Sequence, residues 1–360
     1  MKIFNFLKVL TWVILVFVPI YLLSYSIFSP FSCGWSISNS KRIVLVADPQ
    51  MEGDSRVLHQ GWYGQLNNDF NDWYFWLIMR NVYYFMRPDY VFTMGDVFSS
   101  QYIDMDEFGH RLSRFNKIFG SNFREPKGSI KLVNLTGNHD VGYGDDLPLY
   151  RLSNFERHFG QQNTVRDFAG HKLVTINSLT LDGTRDHSIK QGTWDFLENT
   201  AKQLKSDDKV LLFIHVPLHK PKGACYDPPN IIMNHDNSAP IEQTMVSESS
   251  SRAVLSKLKP KYIFTGHDHV GCVYKHSQTN TTEYTVRTIM GDHGGNIGLF
   301  EFTENSDGTH SYKYKDCRYF ETTTIWIYII TALVWTILAL ITWLIMSIVA
   351  LFTSSKVKKD

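Results

Sequence analysis

The sequence predicts an α/β domain lying between two membrane-spanning helices, and three observations carry that prediction. Short apolar runs of four to six residues, partly β-branched, each stop at a Gly, Asp, Asn or His. Segments with helical apolar periodicity alternate with these runs, which is the pattern of helices covering a central sheet or pair of sheets. Both ends of the 360-residue chain carry long stretches without a charged residue.

The ends come first. No charge occurs from Val9 to Ser40 or from Ile325 to Phe352, and each stretch exceeds the roughly 20 residues needed to cross a bilayer core. The chain therefore divides into an N-terminus (1–8), a first span (9–29), a large domain (30–324), a second span (325–352) and a tail (353–360). A cleaved signal peptide is the alternative for the first span. Its apolar run is longer than the usual ~7–15 residues of a signal core, and no clear small-x-small cleavage site precedes Pro30. Lys2 and Lys8 flank the first span, and Lys356, Lys358 and Lys359 flank the second. Both termini then read as cytosolic, with Lys41 and Arg42 as a mild dissent, and the intervening domain is expected in a lumen.

Composition narrows the class. There are 36 basic and 35 acidic residues, a net charge of +1, which argues against a dedicated nucleic-acid binder. Four cysteines, Cys33, Cys225, Cys272 and Cys317, allow three connectivities, and unpaired thiols remain open. A Cys33–Cys317 bridge would clamp the two membrane entries and leave Cys225 to pair with Cys272. Of two sequons, Asn280-Thr-Thr lies in a polar loop and is the candidate glycan site. Asn134-Leu-Thr sits in an apolar strand and is expected to stay bare.

Within the domain the elements follow in order. Arg42–Ala47 reads as a strand ending at Asp48, Tyr90–Met94 as one ending at Gly95-Asp96, and Lys131–Thr136 as one ending at Gly137-Asn138-His139-Asp140. Val210–Ile214 ends at His215, and Tyr262–Thr265 ends at Gly266-His267-Asp268-His269. Helical periodicity covers Trp62–Met86, Asp106–Phe119, Leu147–Phe159, Gln191–Leu204 and Glu248–Leu258. Two further strands, expected to be antiparallel, cover Glu283–Ile289 and Ile297–Phe302. Strand, polar tip, then helix is the order that gathers reactive groups at the carboxyl edge of a sheet.

Those tips share a chemistry. Carboxylate, amide oxygen and imidazole suit Mn, Fe or Zn rather than a thiolate-loving metal. A bridging carboxylate can hold two such cations about 3.5–4 Å apart, an arrangement suited to hydrolysing phosphate esters. Any one tip alone is weak, since Gly-Asp is usually a turn and a lone His is usually a core residue. Their joint occurrence is specific.

The five motifs resemble those of the calcineurin-like metallophosphoesterase superfamily, D-x-H, G-D, G-N-H-D, H and G-H-x-H. The likeness runs from Ile43 to about Phe302. The resemblance implies a two-sheet α/β/β/α sandwich with two divalent metal ions, Mn first and Fe or Zn as alternatives. It implies that Asp96 bridges them, that Asp48 and His269 complete one metal, and that Asn138, His215 and His267 complete the other. It also implies that His139 binds the substrate phosphate and protonates the departing oxygen, with Asp140 orienting its ring. Asp268 would point away as a solvated or supporting carboxylate. One position departs from the pattern: Gln50 stands where the family has histidine, and its amide oxygen is a weaker ligand.

The chain is also similar to a narrower group, the membrane-anchored metallophosphoesterases that remodel glycosylphosphatidylinositol (GPI) anchors. The likeness rests on Asp48-Pro49-Gln50, Gly95-Asp96-Val97-Phe98, Gly137-Asn138-His139-Asp140-Val141-Gly142 and His215-Val216-Pro217-Leu218, with a cysteine before the final span and a two-span topology. It implies removal of ethanolamine phosphate from a mannose of a GPI-anchored glycolipid or protein. The alternatives are a nucleotide, lipid or phosphoprotein substrate, or a cargo-binding role without turnover. Lys356-Val-Lys358-Lys359-Asp360 resembles a dilysine retrieval signal, a coat-protein address on a cytosolic tail, and implies an endoplasmic reticulum or early Golgi membrane. Trp62, Tyr63, Trp73, Tyr74 and Trp76 are expected chiefly in the core, with sugar stacking or membrane contact as the alternative. His293 is expected to be an ordinary loop residue or, secondarily, a substrate contact.

Overall fold

Strands whose apolar residues run without a break must be covered on both faces, and β1 (Lys41–Val46) meets that demand. Ile43, Leu45 and Ala47 enter the core between two sheets, while Val44 and Val46 are equally buried on the opposite face. The computed structural model describes residues 33–120, 130–319 and 321–357, with Val9, Trp12 and Val16. The rest of the expected 9–29 span and the lysines at 358 and 359 lie outside the described residues. Gly34–Arg318 forms one compact unit.

After β1 the chain runs through α1 (Asp54–Gln60), α2 (Trp62–Asn81), β2 (Tyr90–Thr93), α3 (Met105–Ile118), β3 (Lys131–Asn134), α4 (Asn138–Val141) and α5 (Leu149–Phe159). It continues with β4 (Thr164–Phe168), β5 (His171–Thr175), α6 (His187–Gln203), β6 (Lys209–Phe213), β7 (Ile231–Met233), β8 (Pro240–Gln243) and α7 (Glu248–Leu258). The last elements are β9 (Tyr262–Thr265), β10 (Cys272–His276), β11 (Thr281–Thr285), β12 (Asn296–Glu304), β13 (His310–Arg318) and α8 (Thr322–Val357).

One sheet has the order β13-β12-β1-β2-β3 and the other β10-β11-β9-β6-β5-β4, with β7 and β8 pairing separately. Each large sheet is built around a parallel set: β1, β2 and β3 in the first, and β5, β6, β9 and β11 in the second. Their inner faces meet in an aromatic core. Phe92 of β2 stacks on Phe213 of β6 with centroids 3.9 Å apart, and Phe300 meets Phe264 at 4.8 Å.

Several sequence expectations shift for identifiable reasons. The strand placed at Glu283–Ile289 is β11, and it pairs parallel with β9; only its β10 edge is antiparallel. β12 is antiparallel to both neighbours, as expected. The helix placed at Gln191 begins at His187, because Asp186 caps the Ser188 N–H. The long helix from Trp62 runs regularly to Asn81 and ends in a π turn over Val82–Met86, with Arg87 left-handed before Pro88. Of its five named aromatics, only Tyr74 is buried; Trp76 is half-buried and Trp62, Tyr63 and Trp73 are exposed. The helix packs through the face bearing Asn68, Phe75, Ile78 and Met79 instead. The β4–β5 hairpin went unread because β4 is half polar, and its Ala169-Gly170 turn is left-handed at both residues.

Cys225 and Cys272 form a disulfide with Cα atoms 5.6 Å apart, and no cysteine among the described residues is free. Asn280 is exposed in the β10–β11 turn, while Asn134 ends β3 and accepts a hydrogen bond from Thr93. Within α8, Ile325–Phe352 is a 28-residue segment long and apolar enough to cross a membrane.

A buried ion pair ties β11 to the loop after β6. Glu283 and Lys220 are both fully buried and 2.6 Å apart, and His276 Nε2 lies 2.8 Å from the same carboxylate. Burial works against the Glu283 charge, but Lys220 and His276 hold its carboxyl below the usual value. A lowered folded value contributes stability that is present above the unfolded carboxylate range and lost as pH falls through the folded value. Glu283→Ala should therefore destabilise by about 3–5 kcal/mol by stranding Lys220, while Lys220→Met with Glu283→Leu recovers most of it. Chemical denaturation of the detergent-solubilised protein, followed by tryptophan fluorescence, measures both.

Candidate metal centre

The carboxyl ends of the parallel strands from both sheets meet at one place, and the backbone there is bent sharply. Asp48 (φ 51°), Gln50 (42°), Asp96 (49°) and His267 (72°) are all left-handed, a conformation costing a non-glycine residue about 1–2 kcal/mol. Such strain collects where side-chain placement matters more than local comfort. Two motif glycines have a steric cause. A Cβ on Gly95 would lie 2.4 Å from His215 Nδ1, and one on Gly137 would lie 2.1 Å from Asp96 Oδ1.

Asp48 and Asp96 are almost wholly buried, at 0% and 1% exposure. Backbone donors hold them: the His267 N–H reaches both Asp48 oxygens at 3.1 Å, and the His139 N–H reaches Asp96 Oδ1 at 2.8 Å. Burial first, and then the Asp96 charge, pushes the Asp48 carboxyl well above its ordinary range. Burial also raises Asp96, although His139 and His267 nearby oppose it.

The imidazoles are set as neutral ligands. Burial pushes His215 down to about 3 and His267 down to about 4, and lowers His269 as well. His215 Nδ1 lies 2.8 Å from the Met94 carbonyl, so it carries the proton and leaves Nε2 free toward Asn138 Oδ1 at 3.1 Å and Asp96 Oδ1 at 3.4 Å. His267 Nε2 lies 2.9 Å from the Gln243 carbonyl, which leaves Nδ1 as its ligand atom. A carbonyl on one ring nitrogen that frees the other is the usual support of a metal-bound histidine.

The donor set fits divalent cations. Asp96, His215 and His267 offer ligand atoms within 4.8 Å of one another, with Asn138 beside them. On the other side Gln50 sits between Asp96 and His269, its Nε2 3.4 Å from Asp96 Oδ2 and 3.3 Å from His269 Nε2. The amide occupies a ligand's place, and a half-turn would present its oxygen there. A second acidic group, Asp54, Glu107 and His110, is drawn together differently. Its buried carboxylate is committed to Arg111 at 2.6 Å and the Asp54 N–H at 2.9 Å.

One sequence expectation needs correction. Asp140 does not orient the His139 ring: its carboxylate accepts the N–H groups of Val97 (3.1 Å), Phe98 (2.7 Å) and Gly137 (2.8 Å). As the third residue of α4 it turns back on its own helix start and clasps the Asp96 loop. Of the two alternatives for Asp268, solvated or supporting, burial at 5% exposure leaves the second, and its carboxylate caps a turn through the Val270 N–H at 2.9 Å. His139 keeps a half-exposed ring on a fixed main chain, its carbonyl accepting the N–H groups of Ser100 and Gln101. His293 is exposed, with its ring centroid 5.0 Å from that of His269.

The sequence reading missed Met94 and Gln243, which act through carbonyls that any residue possesses. It also missed Tyr143, just after the Asn138–Gly142 motif, whose ring lies 6.2 Å from His267. Burial and the Asp96 charge hold its phenol above the usual range.

Asp140→Asn should set an NH₂ against at least one backbone N–H and cost about 1–3 kcal/mol. It should loosen the Asp96 loop and lower bound metal, while the pH dependence of kcat keeps its midpoints. Thermal melting, metal analysis and a pH–rate profile on one preparation check this.

The family model described as calcineurin-like phosphoesterase matches residues 41–271. An uncharacterized protein of Schizosaccharomyces pombe is 29% identical over 343 residues, covering 84% of this chain and 79% of its own. Protein TED1 of Saccharomyces cerevisiae is 26% identical, covering 83% of this chain and 90% of its own. Metallophosphoesterase 1 of Ailuropoda melanoleuca is 23% identical, covering 68% and 67%. With the matched segment carrying Asp48, Asp96, Asn138, His215, His267 and His269 on its strand ends, the chain belongs to the calcineurin-like phosphoesterase family and is a hydrolase of phosphoester bonds.

Proposed function

We propose that this protein is a lumenal two-metal phosphodiesterase that removes ethanolamine phosphate from a mannose of GPI anchors in the early secretory pathway. The observation that carries the chemistry is the convergence of strand ends from both sheets on two buried carboxylates, with the half-exposed His139 ring beside them. Asp96 would bridge two divalent cations. Asp48 and His269, with Gln50, would complete one site, and Asn138, His215 and His267 the other. The cations, Mn first and Fe or Zn as alternatives, would supply Lewis acidity and an activated water.

The chain's own groups do the rest. Backbone N–H groups hold Asp48 and Asp96 in place, so the ligand frame is rigid before substrate arrives. The His139 ring binds a phosphate oxygen and donates a proton to the departing sugar oxygen, which is needed because an alkoxide leaves poorly. Its main chain is immobilised by Asp96, Ser100 and Gln101, which fixes the donor's position.

The substrate reading is supported by the GPI-remodelling motifs, the apolar segment Ile325–Phe352 and the oxidised cysteines, which suit a lumenal compartment. A membrane tether keeps the site where lipid-linked glycans are presented. The dilysine-like tail would be read by coat proteins on the cytosolic side.

The decisive experiment is mass spectrometry of GPI glycans from cells lacking the protein. Ethanolamine phosphate should accumulate on one mannose; unchanged occupancy on every mannose would defeat the reading. In the purified protein, Asp96→Asn should lower bound metal at both positions and reduce phosphodiester turnover about 10²–10³-fold. His139→Ala should retain the metal yet lose about 10²–10⁴-fold in kcat. Metal loss in the His139 variant would assign that residue to ligation instead.

A further inference from the structure

The β7–β8 hairpin is fastened to the metal centre at its last residue. The Gln243 carbonyl holds His267 Nε2 at 2.9 Å, which puts Glu242 one peptide unit from that contact. Tyr143 closes the same corner from the other side. Its ring meets the His267 ring edge-on, with centroids 6.2 Å apart and planes at 87°. The Gln243 N–H is directed at the phenol oxygen, and the charges of Asp96 and Glu242 both reach that phenol. Tyr143 therefore stands between the buried carboxylate assigned to bridge the metals and an outlying one.

Backbone packing fixes this corner. After Tyr143 the chain turns through Gly144–Asp146, and the Tyr143 carbonyl accepts the Asp146 N–H at 2.8 Å. Gly144 lies so close to β8 that a Cβ there would be 3.0 Å from Pro240 Cδ. The neighbouring guanidinium is already committed. Arg185, whose N–H donates to the Gly144 carbonyl at 3.1 Å, pairs with Asp145 at 2.9 Å. Glu242 is exposed, and none of the described ion pairs includes it.

A free carboxylate beside a half-exposed phenol ring suits a cation. An ammonium can donate to the carboxylate and rest on the ring face. The two-carbon arm of ethanolamine phosphate carries its ammonium about 5 Å from phosphorus at full extension. That reach is comparable with the 6.2 Å between the His267 and Tyr143 rings. The same carboxylate repels an anionic diester that brings no cation of its own, which adds discrimination.

We propose that Glu242 and Tyr143 form the subsite for the ammonium group of the substrate's ethanolamine phosphate, with Glu242 as the specificity-determining charge. The inference rests on the reading of the substrate as an ethanolamine phosphate diester.

The test compares two diesters that share a leaving group, 2-aminoethyl 4-nitrophenyl phosphate and propyl 4-nitrophenyl phosphate, with nitrophenolate in place of the sugar. Full-length protein in detergent micelles with added Mn should favour the aminoethyl ester in kcat/KM, mainly through KM. Glu242→Gln should shrink that preference about 3–10-fold, Glu242→Asp should keep part of it, and Glu242→Lys should reverse it. Tyr143→Leu should shrink it about 2–5-fold. Calorimetry supplies a readout apart from turnover. Phosphoethanolamine should bind wild-type protein more tightly than propyl phosphate does, and Glu242→Gln should narrow that gap by the same factor. A preference that survives Glu242→Gln in both measurements overturns the subsite and leaves the proposed function standing. An equal loss on both esters also overturns it, because Glu242 would then only support the hairpin that holds His267. If wild-type protein instead favours the propyl ester, both the subsite and the ethanolamine reading fall.

Discussion

Two carboxylates, Asp48 and Asp96, are buried together, and the rest of the structure is arranged around that charge. No lysine or arginine answers them among the described ion pairs; the ion-pair contact each makes is to His215, at 3.8 and 3.4 Å, which burial keeps neutral, and His139 and His267 act on Asp96 from farther off. Burying an uncompensated carboxylate costs several kcal/mol. Backbone N–H groups supply part of the compensation, from His267 to Asp48 and from His139 to Asp96. The remainder calls for cations, and the surrounding amide and imidazole donors are what hard or borderline metals take. The positive φ angles, the glycines at 95 and 137 and the carbonyls of Met94 and Gln243 follow from fitting these groups into one place.

That place belongs to neither sheet alone. β1, β2 and β3 deliver Asp48, Asp96 and Asn138, whereas β6 and β9 deliver His215, His267 and His269. The packing between sheets therefore fixes the distance between the two halves of the ligand set. Phe92 precedes Asp96 on one side, Phe213 precedes His215 on the other, and the two rings are stacked at 3.9 Å with an interplanar angle of 5°. A close-packed aromatic pair resists sliding and compression. Core and site are mechanically one object here, because a shift of that pair moves Asp96 relative to His215.

The strand tips were legible in the sequence because each breaks an apolar run with a side chain that the core would reject. The glycines were legible for the same reason. Asp140 was misread because neighbours in sequence need not be partners in space. Its place as third residue of a one-turn helix sends the carboxylate to free N–H groups at the helix start, a stronger demand than orienting one ring. For Asp268 the sequence left two alternatives open, and closing a turn takes the carboxylate out of solvent. The carbonyls that fix the tautomers of His215 and His267 leave no trace in residue identity. The exposed Trp62, Tyr63 and Trp73 were misjudged because aromatic content alone does not say which face of a helix packs.

Gln50 is the one motif position where this chain leaves the family pattern, and its location decides what the change can mean. It lies between Asp96 and His269, so it has neither been expelled from the site nor recruited to another network. A neutral histidine and a glutamine carry the same charge, so the substitution leaves the balance between carboxylates and cations intact. What changes is donor strength, because an amide oxygen is a weaker base than an imidazole nitrogen. In the proposed arrangement the effect would be confined to the position shared by Asp48 and His269, while the Asn138, His215 and His267 position would keep its full set. The two positions would then be unequal by construction, and Asp96, proposed to bridge them, would be the group through which the stronger position supports the weaker.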